Sequence, residues 1–128
     1  MSTAVHNEMA QFAYQHVQKA VKSPANSSEF RTLARSFPSM LQASGLGAAI
    51  AFLYAKGKFP HKALYQLIDT WTRNRFCPAD TKTELAQRIS SLSSQEYRLY
   101  TVEVMNLCLW VKRFAEGMVE ADGENQSS

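Results

Sequence analysis

From Val5 onward, apolar residues recur at steps of three and four, at Met9, Phe12, Ala13, Val17, Ala20 and Val21, while Gln11, Gln15, Gln18, Lys19 and Lys22 fill the opposite face. That period predicts an amphipathic helix. Ser23-Pro24 ends it, and the polar run Ala25-Asn26-Ser27-Ser28 reads as a loop whose last serine caps a helix over roughly 29–36. Pro38 has no N–H, so it breaks or re-aims the chain. Between Phe37 and Gly57 run two apolar helical stretches hinged at Gly45 and Gly47, with Pro38 suited to open the first and Gly45 to close it.

Gly57 and Pro60 form a second stop and start, and the next helix carries Leu64, Leu67, Ile68 and Trp71 as one stripe to about Arg75. Cys77-Pro78-Ala79-Asp80 connects it to a short helix with Leu85 and Ile89, for which Thr81 and Glu84 have the spacing of a capping box. Ser93 and Glu96 repeat that spacing ahead of the longest helix, from about Ser94 to Met118, with Tyr97, Val104, Leu107, Val111, Phe114 and Met118 on one face. No segment has a strand's period of two. The chain is expected to be all-α, a single helical bundle of about six helices over residues 1–120, followed by an acidic, disordered tail over 121–128.

The 128 residues suffice to bury a core without a metal or disulfide. Cys77 and Cys108 lack a CxxC spacing and read as reduced thiols. The most apolar run, Gly45 to Ala55, is too short to cross a bilayer, so a cytoplasmic protein with no membrane partner is expected. The formal net charge is +3, but Glu120, Asp122 and Glu124 fall in the tail, which leaves 14 basic against 8 acidic residues before it, a net of +6. Such an excess favours a polyanionic partner.

Candidate chemistry is sparse. Gly45-Leu46-Gly47 suggests a dinucleotide-binding loop, but Ile50 occupies the sixth position of that pattern and no strand precedes it. His6, His16 and His61 have no ligand or carboxylate partner at helical spacing, and the carboxylates Asp69, Asp80, Glu84, Glu96 and Glu103 are dispersed. No catalytic residue, metal, cofactor or small-molecule substrate is expected. A small enzyme would need polar groups brought together in a pocket by the fold.

The basic residues carry more. Lys56, Lys58 and Lys62 bracket the turn Gly57-Lys58-Phe59-Pro60, a corner suited to phosphates, and Arg35 joins them as a surface cation. Arg98, Lys112 and Arg113 lie away from the apolar stripe of the last helix and have two readings. They are either a ridge facing a polyanion or partners in ordinary intrahelical ion pairs with Glu116, worth about 0.3–0.5 kcal/mol. Arg73 and Arg75 complement a helix dipole. Phe12, Phe52, Trp71, Tyr97 and Phe114 are core candidates, whereas Trp110, at the edge of its stripe, is the candidate interface anchor.

Two segments go beyond composition: Phe-Pro-Ser-Met-Leu-Gln-Ala-Ser-Gly-Leu-Gly-Ala-Ala-Ile-Ala-Phe-Leu at 37–53, and Glu-Tyr-Arg-Leu-Tyr-Thr-Val-Glu-Val-Met-Asn-Leu-Cys-Leu-Trp-Val-Lys-Arg-Phe-Ala-Glu-Gly-Met at 96–118. Together, and in this order, they resemble the signature regions of the small all-helical subunit of type III-B CRISPR RNA-targeting effector complexes, the RAMP module. The resemblance implies a non-catalytic subunit in antiviral defence that stacks with further copies of itself beside the crRNA-bearing backbone subunits and lines the groove for target RNA. It also implies that Arg98, Lys112 and Arg113, which match the family's basic features, face that RNA. Lys56, Lys58, Lys62 and Arg35 are assigned to RNA on charge alone. The alternative is a helical protein-protein interaction module that makes no direct contact with RNA.

Overall fold

The structure, a computed structural model, describes the side chains of residues 7–22 and 26–118. His6 and the expected tail over 121–128 lie outside them. Six helices follow one another: α1 (Ser2–Ala20), α2 (Pro24–Ser44), α3 (Leu46–Lys56), α4 (Phe59–Phe76), α5 (Leu85–Ser90) and α6 (Ser94–Ser127). Helix α6 packs chiefly against α1 and α2, α3 against α4 and α2, and the short α5 closes over α3. The expected all-helical bundle is the observed fold. Among the described residues, no helix is long and apolar enough to cross a membrane.

The core is one cluster built from the predicted stripes. Met9, Ala13 and Val17 come from α1, Leu64, Leu67, Ile68 and Trp71 from α4, and Val104, Leu107, Cys108, Val111 and Ala115 from α6. Phe12, Phe52, Tyr97 and Phe114 are only partly buried and pack against its edge.

Helix α2 departs from expectation. The loop expected at residues 25–28 belongs to its opening turns, and it runs through Pro38 to Ser44 without a break. A continuous stripe explains why. Phe30, Leu33, Ala34, Phe37 and Leu41 are all buried at helical spacing on both sides of the proline. Burying each large side chain contributes about 1.5–3 kcal/mol. Together they outweigh the roughly 3 kcal/mol that an interior proline costs a helix. Ser28 therefore caps nothing, and its carbonyl accepts a bond from Thr32 Oγ1 within the helix at 3.0 Å.

The hinge at Gly45 is a single residue between α2 and α3, with φ 89° and ψ 164°, a conformation open to glycine. Gly47 lies inside α3 and serves close approach: its N–H donates to Tyr97 Oη at 2.8 Å, and a Cβ there would stand 3.4 Å from that oxygen. The two segments that carry the family resemblance thus meet in space. Gly57 closes α3 in the left-handed conformation with φ 66°, and Pro60 sits in the first turn of α4, as the stop and start pair predicts.

One capping box forms and the other does not. Ser93 N–H donates to Glu96 Oε1 at 2.9 Å, and Glu96 N–H donates to Ser93 Oγ at 3.2 Å. At Thr81 and Glu84 no such exchange occurs, because Asp80 Oδ1 takes the N–H groups of Lys82 and Thr83 at 3.1 and 2.9 Å and folds the segment as an Asx turn. Helix α5 begins at Leu85, three residues beyond where a Thr81 cap would start it, with no side-chain cap.

Gly45→Ala is expected to lower stability by about 1–3 kcal/mol, because alanine is strained at that φ. Gly117→Ala, in open space on α6, should raise it by about 0.5–1 kcal/mol; urea unfolding midpoints of the two variants test the contrast. The capping bonds from Ser93 hold the Glu96 carboxyl below its ordinary value of 4.5. A depressed carboxyl contributes stability above its unfolded-state value and loses it as the pH falls through the folded-state value. Glu96→Gln should therefore flatten the acid side of a plot of Tm against pH.

Candidate functional site

The basic residues divide into those that hold the fold and those that do not. Arg73 and Arg75 stand in the last turn of α4, as the helix-dipole reading requires, and are also tied down by specific bonds. Arg73 Nη2 donates to both Asp69 carboxylate oxygens, at 3.0 and 3.2 Å, and to the Thr83 carbonyl at 2.9 Å, while Nη1 donates to the Asp80 carbonyl. Arg75 Nε pairs with Glu103 Oε2 at 3.4 Å, the oxygen that also accepts from Trp71 Nε1 at 2.7 Å. These arginines bind α4 to the 77–84 connection and to α6.

Arg88 is a functional cation of the fold that sequence reasoning missed. It is buried, with Nη2 donating to Asp69 Oδ1 at 2.8 Å and to Thr72 Oγ1 at 3.0 Å. Asp69 thus balances two guanidiniums. A signal was present in the sequence, since Arg88 follows Leu85 by three residues and precedes Ile89, and so falls on the buried face of α5.

At the corner between α3 and α4, Lys56, Lys58 and Lys62 are not buried and make no ion pair among the described residues. Lys56 Nζ sits 5.5 Å from the Phe52 ring. His61, packed edge-on against Phe52 at 5.3 Å, has its pKa lowered by burial and then by Lys56 and Lys58. Its ring, like that of His16 against Phe12 at 3.9 Å, is part of the packing. Among the described residues no group of three or more histidine, cysteine or acidic side chains is placed to hold a metal. Cys108 is fully buried and its thiol pKa is pushed up by that burial.

The last helix presents a different surface. Arg98 and Arg113 are exposed and Lys112 is half-buried. Fourteen residues separate Arg98 from Lys112, or about 21 Å along the axis. Between them, on the same face, Val102 and Leu109 are exposed and Met105 is half-buried. The ridge is therefore basic at its ends and apolar at its centre. Beside it runs a groove of about 680 Å³ between α6 and the end of α2, lined by Pro38, Gln42, Leu46, Val102, Met105 and Leu109 among others.

The intrahelical pairing with Glu116 does not form. Glu116 Oε2 pairs across helices with Arg35 Nε at 3.5 Å, which places Arg35 at the α2–α6 contact and apart from the lysine corner. Trp110 is half-buried, stacked on Phe114 at 5.6 Å, with the Arg113 guanidinium 5.6 Å over its ring.

By class the chain is an all-helical bundle in which the arginines of α4 and α5 serve folding, while the α3–α4 corner is basic and the outer face of α6 is apolar with basic ends. The family model described as CRISPR-associated protein (Cas_Cmr5) matches residues 5–118, and the chain belongs to that family. This is the family to which the segments at 37–53 and 96–118 pointed. The CRISPR system Cmr subunit Cmr5 of Thermus thermophilus is 33% identical over 111 residues, spanning 87% of this chain and 92% of that protein. The crystal structure of a CRISPR-associated Cmr5 family protein from Thermus thermophilus superposes with a TM-score of 0.71 at 29% identity, over 85% of this chain and 91% of that one.

Removing the shared carboxylate should expose the cost of Arg88. Asp69→Asn is expected to lower stability by about 3 kcal/mol, the low end for breaking a buried pair. Asp69→Asn combined with Arg88→Met should lose less than Asp69→Asn alone, as read by chemical denaturation.

Proposed function

We propose that this chain is a non-catalytic subunit of a type III-B CRISPR effector ribonucleoprotein, built into the complex through the exposed face of α6 and set beside RNA by its unpaired cations. The observation that carries this reading is the division of charge: Arg73, Arg75 and Arg88 are consumed by the fold, whereas Lys56, Lys58, Lys62, Arg98, Lys112 and Arg113 have no carboxylate partner among the described residues. Cations left unpaired on a rigid surface suit the phosphates of a polyanion. The Thermus relative is named as a Cmr subunit, which supports the same role here.

The face of α6 has the layout of a protein interface, an apolar centre with a charged rim. Val102, Met105 and Leu109 form the centre on which a neighbouring subunit, including a further copy of this chain, would seat. Trp110 lies at its edge. Arg98 stands at one end, with Lys112 and Arg113 at the other, where they would meet the backbone of crRNA or target RNA as it passes the docked subunit. A pure protein-interaction module would need the apolar centre and gain nothing specific from the lysine corner.

Two sets of substitutions separate these roles in the reconstituted complex. Val102→Asp with Leu109→Asp should abolish incorporation of the chain, read by co-purification. Arg98→Ala, Lys112→Ala and Arg113→Ala together should leave incorporation intact and weaken target RNA retention. The salt dependence should become shallower by about 0.7 in log–log slope for each phosphate that the variant no longer neutralises. Retention and slope unchanged in the triple variant would remove RNA binding from this helix.

A further inference from the structure

Tyr54 is the most exposed aromatic side chain among the described residues, at 56% of its full surface, and it makes no hydrogen bond. Its ring stands 5.7 Å from that of Tyr65, which is itself fixed, because Tyr65 Oη accepts the Ala86 N–H at 3.0 Å. Burial and nearby acids push the Tyr65 phenol up to about 12, so it stays neutral. Beside this ring pair opens a cleft of about 400 Å³, lined by Leu53, Tyr54, Lys62, Tyr65, Gln66 and Glu84 among others. That volume lies in the range of small-ligand sites, about 300–1,000 Å³. Lys62 belongs to the cleft itself, and Lys56 and Lys58 stand on the same α3–α4 corner.

We infer that this cleft receives a single RNA base stacked on Tyr54, with Lys58 and Lys62 holding the flanking phosphates. The inference rests on the reading of the chain as an RNA-proximal subunit and assigns that contact to one corner. Its chemistry is that of single-strand binding, in which a cationic surface tracks the backbone and an aromatic face takes a base. The core does not account for Tyr54, whose ring lies outside the buried cluster and is backed on one side by a second ring held in place. The Gln66 amide carries both donors and an acceptor, so the edge of any base finds a partner there. Stacking is sequence-tolerant for the same reason, since every base has a π face. Glu84 and Asp69 line the cleft and disfavour a phosphate deep inside it, which leaves the phosphates to Lys62 on its wall and to Lys58 on the adjoining corner.

The test uses the assembled complex containing the full chain and two single-stranded probes of equal length, an oligoadenylate and an abasic ribose-phosphate strand. Tyr54→Ala should bind the oligoadenylate roughly tenfold more weakly and the abasic strand as before, while Tyr54→Phe behaves as the unaltered protein. Lys58→Ala with Lys62→Ala should weaken both probes and make the salt dependence shallower. In a strand carrying 4-thiouridine, photo-crosslinks should map to the peptide that contains Tyr54 and disappear in Tyr54→Ala. If Tyr54→Ala binds both probes normally while the lysine variants weaken both, base stacking is overturned and the RNA-proximal reading stands. If neither the tyrosine nor the lysine variants change binding and no crosslink reaches this chain, both are overturned.

Discussion

The fold is organised by one constraint: a long helix that is apolar along one side must be covered on that side for its whole length. Val104, Leu107, Cys108, Val111 and Ala115 of α6 are buried in succession, and α1 and α2 are laid against them. Coverage on one side leaves the other in solvent. The exposed Val102 and Leu109 and the flanking Arg98 and Arg113 follow from that geometry, since residues a turn apart share a face and the inner turns are already taken. The surface offered to partners is thus the complement of the surface that made the core.

Electrostatics divides in the same manner. The Asp69 carboxylate receives Arg73 and Arg88, Asp80 also pairs with Arg73, and Glu103 receives Arg75 and the Trp71 indole, so three acids balance three arginines around α4. Charges buried or half-buried in this way add little net stability as pairs but are costly when broken. They fix the 77–84 connection, in which Asp80 orders the turn through two backbone N–H groups. The lysines at the α3–α4 corner have no such obligations. Sorting cations by whether the fold already uses them is more informative than counting them, because net charge treats Arg88 and Lys58 alike.

Much of the architecture was legible in the sequence, because apolar periodicity reports burial directly. The stripes of α1, α4 and α6, the Gly57–Pro60 junction and the Ser93–Glu96 cap all follow from local rules of spacing and backbone chemistry. The failures have a common cause, which is that tertiary packing overrode a local preference. Pro38 reads as a break only if Phe30, Phe37 and Leu41 are not weighed together, and Thr81 reads as a cap only if Asp80 is not free to take the same N–H groups. The candidate site was less legible. Sequence charge grouped Lys56, Lys58 and Lys62 by their positions around one turn, yet it could not foresee that Glu116 would choose Arg35 across the α2–α6 contact over its own helix neighbours. Tyr54 carried no signal at all, since an aromatic residue on an amphipathic helix reads as core until the neighbouring helices are in place.

The bond from Gly47 to Tyr97 has a consequence for scale. Helix α3 is held at its start by α6 and ends at Lys56, with no loop between the two. It therefore acts as a ruler. The offset between whatever seats on α6 and whatever lies along the lysine corner is set by the rise of this one helix, about 16 Å for its eleven residues. Adding or removing a single residue within it would move the corner by about 1.5 Å and swing it by about 100°. In the stacking of copies proposed above, such an error would accumulate from one subunit to the next, so the length of α3 would bear on the pitch of that array as much as on the stability of the domain.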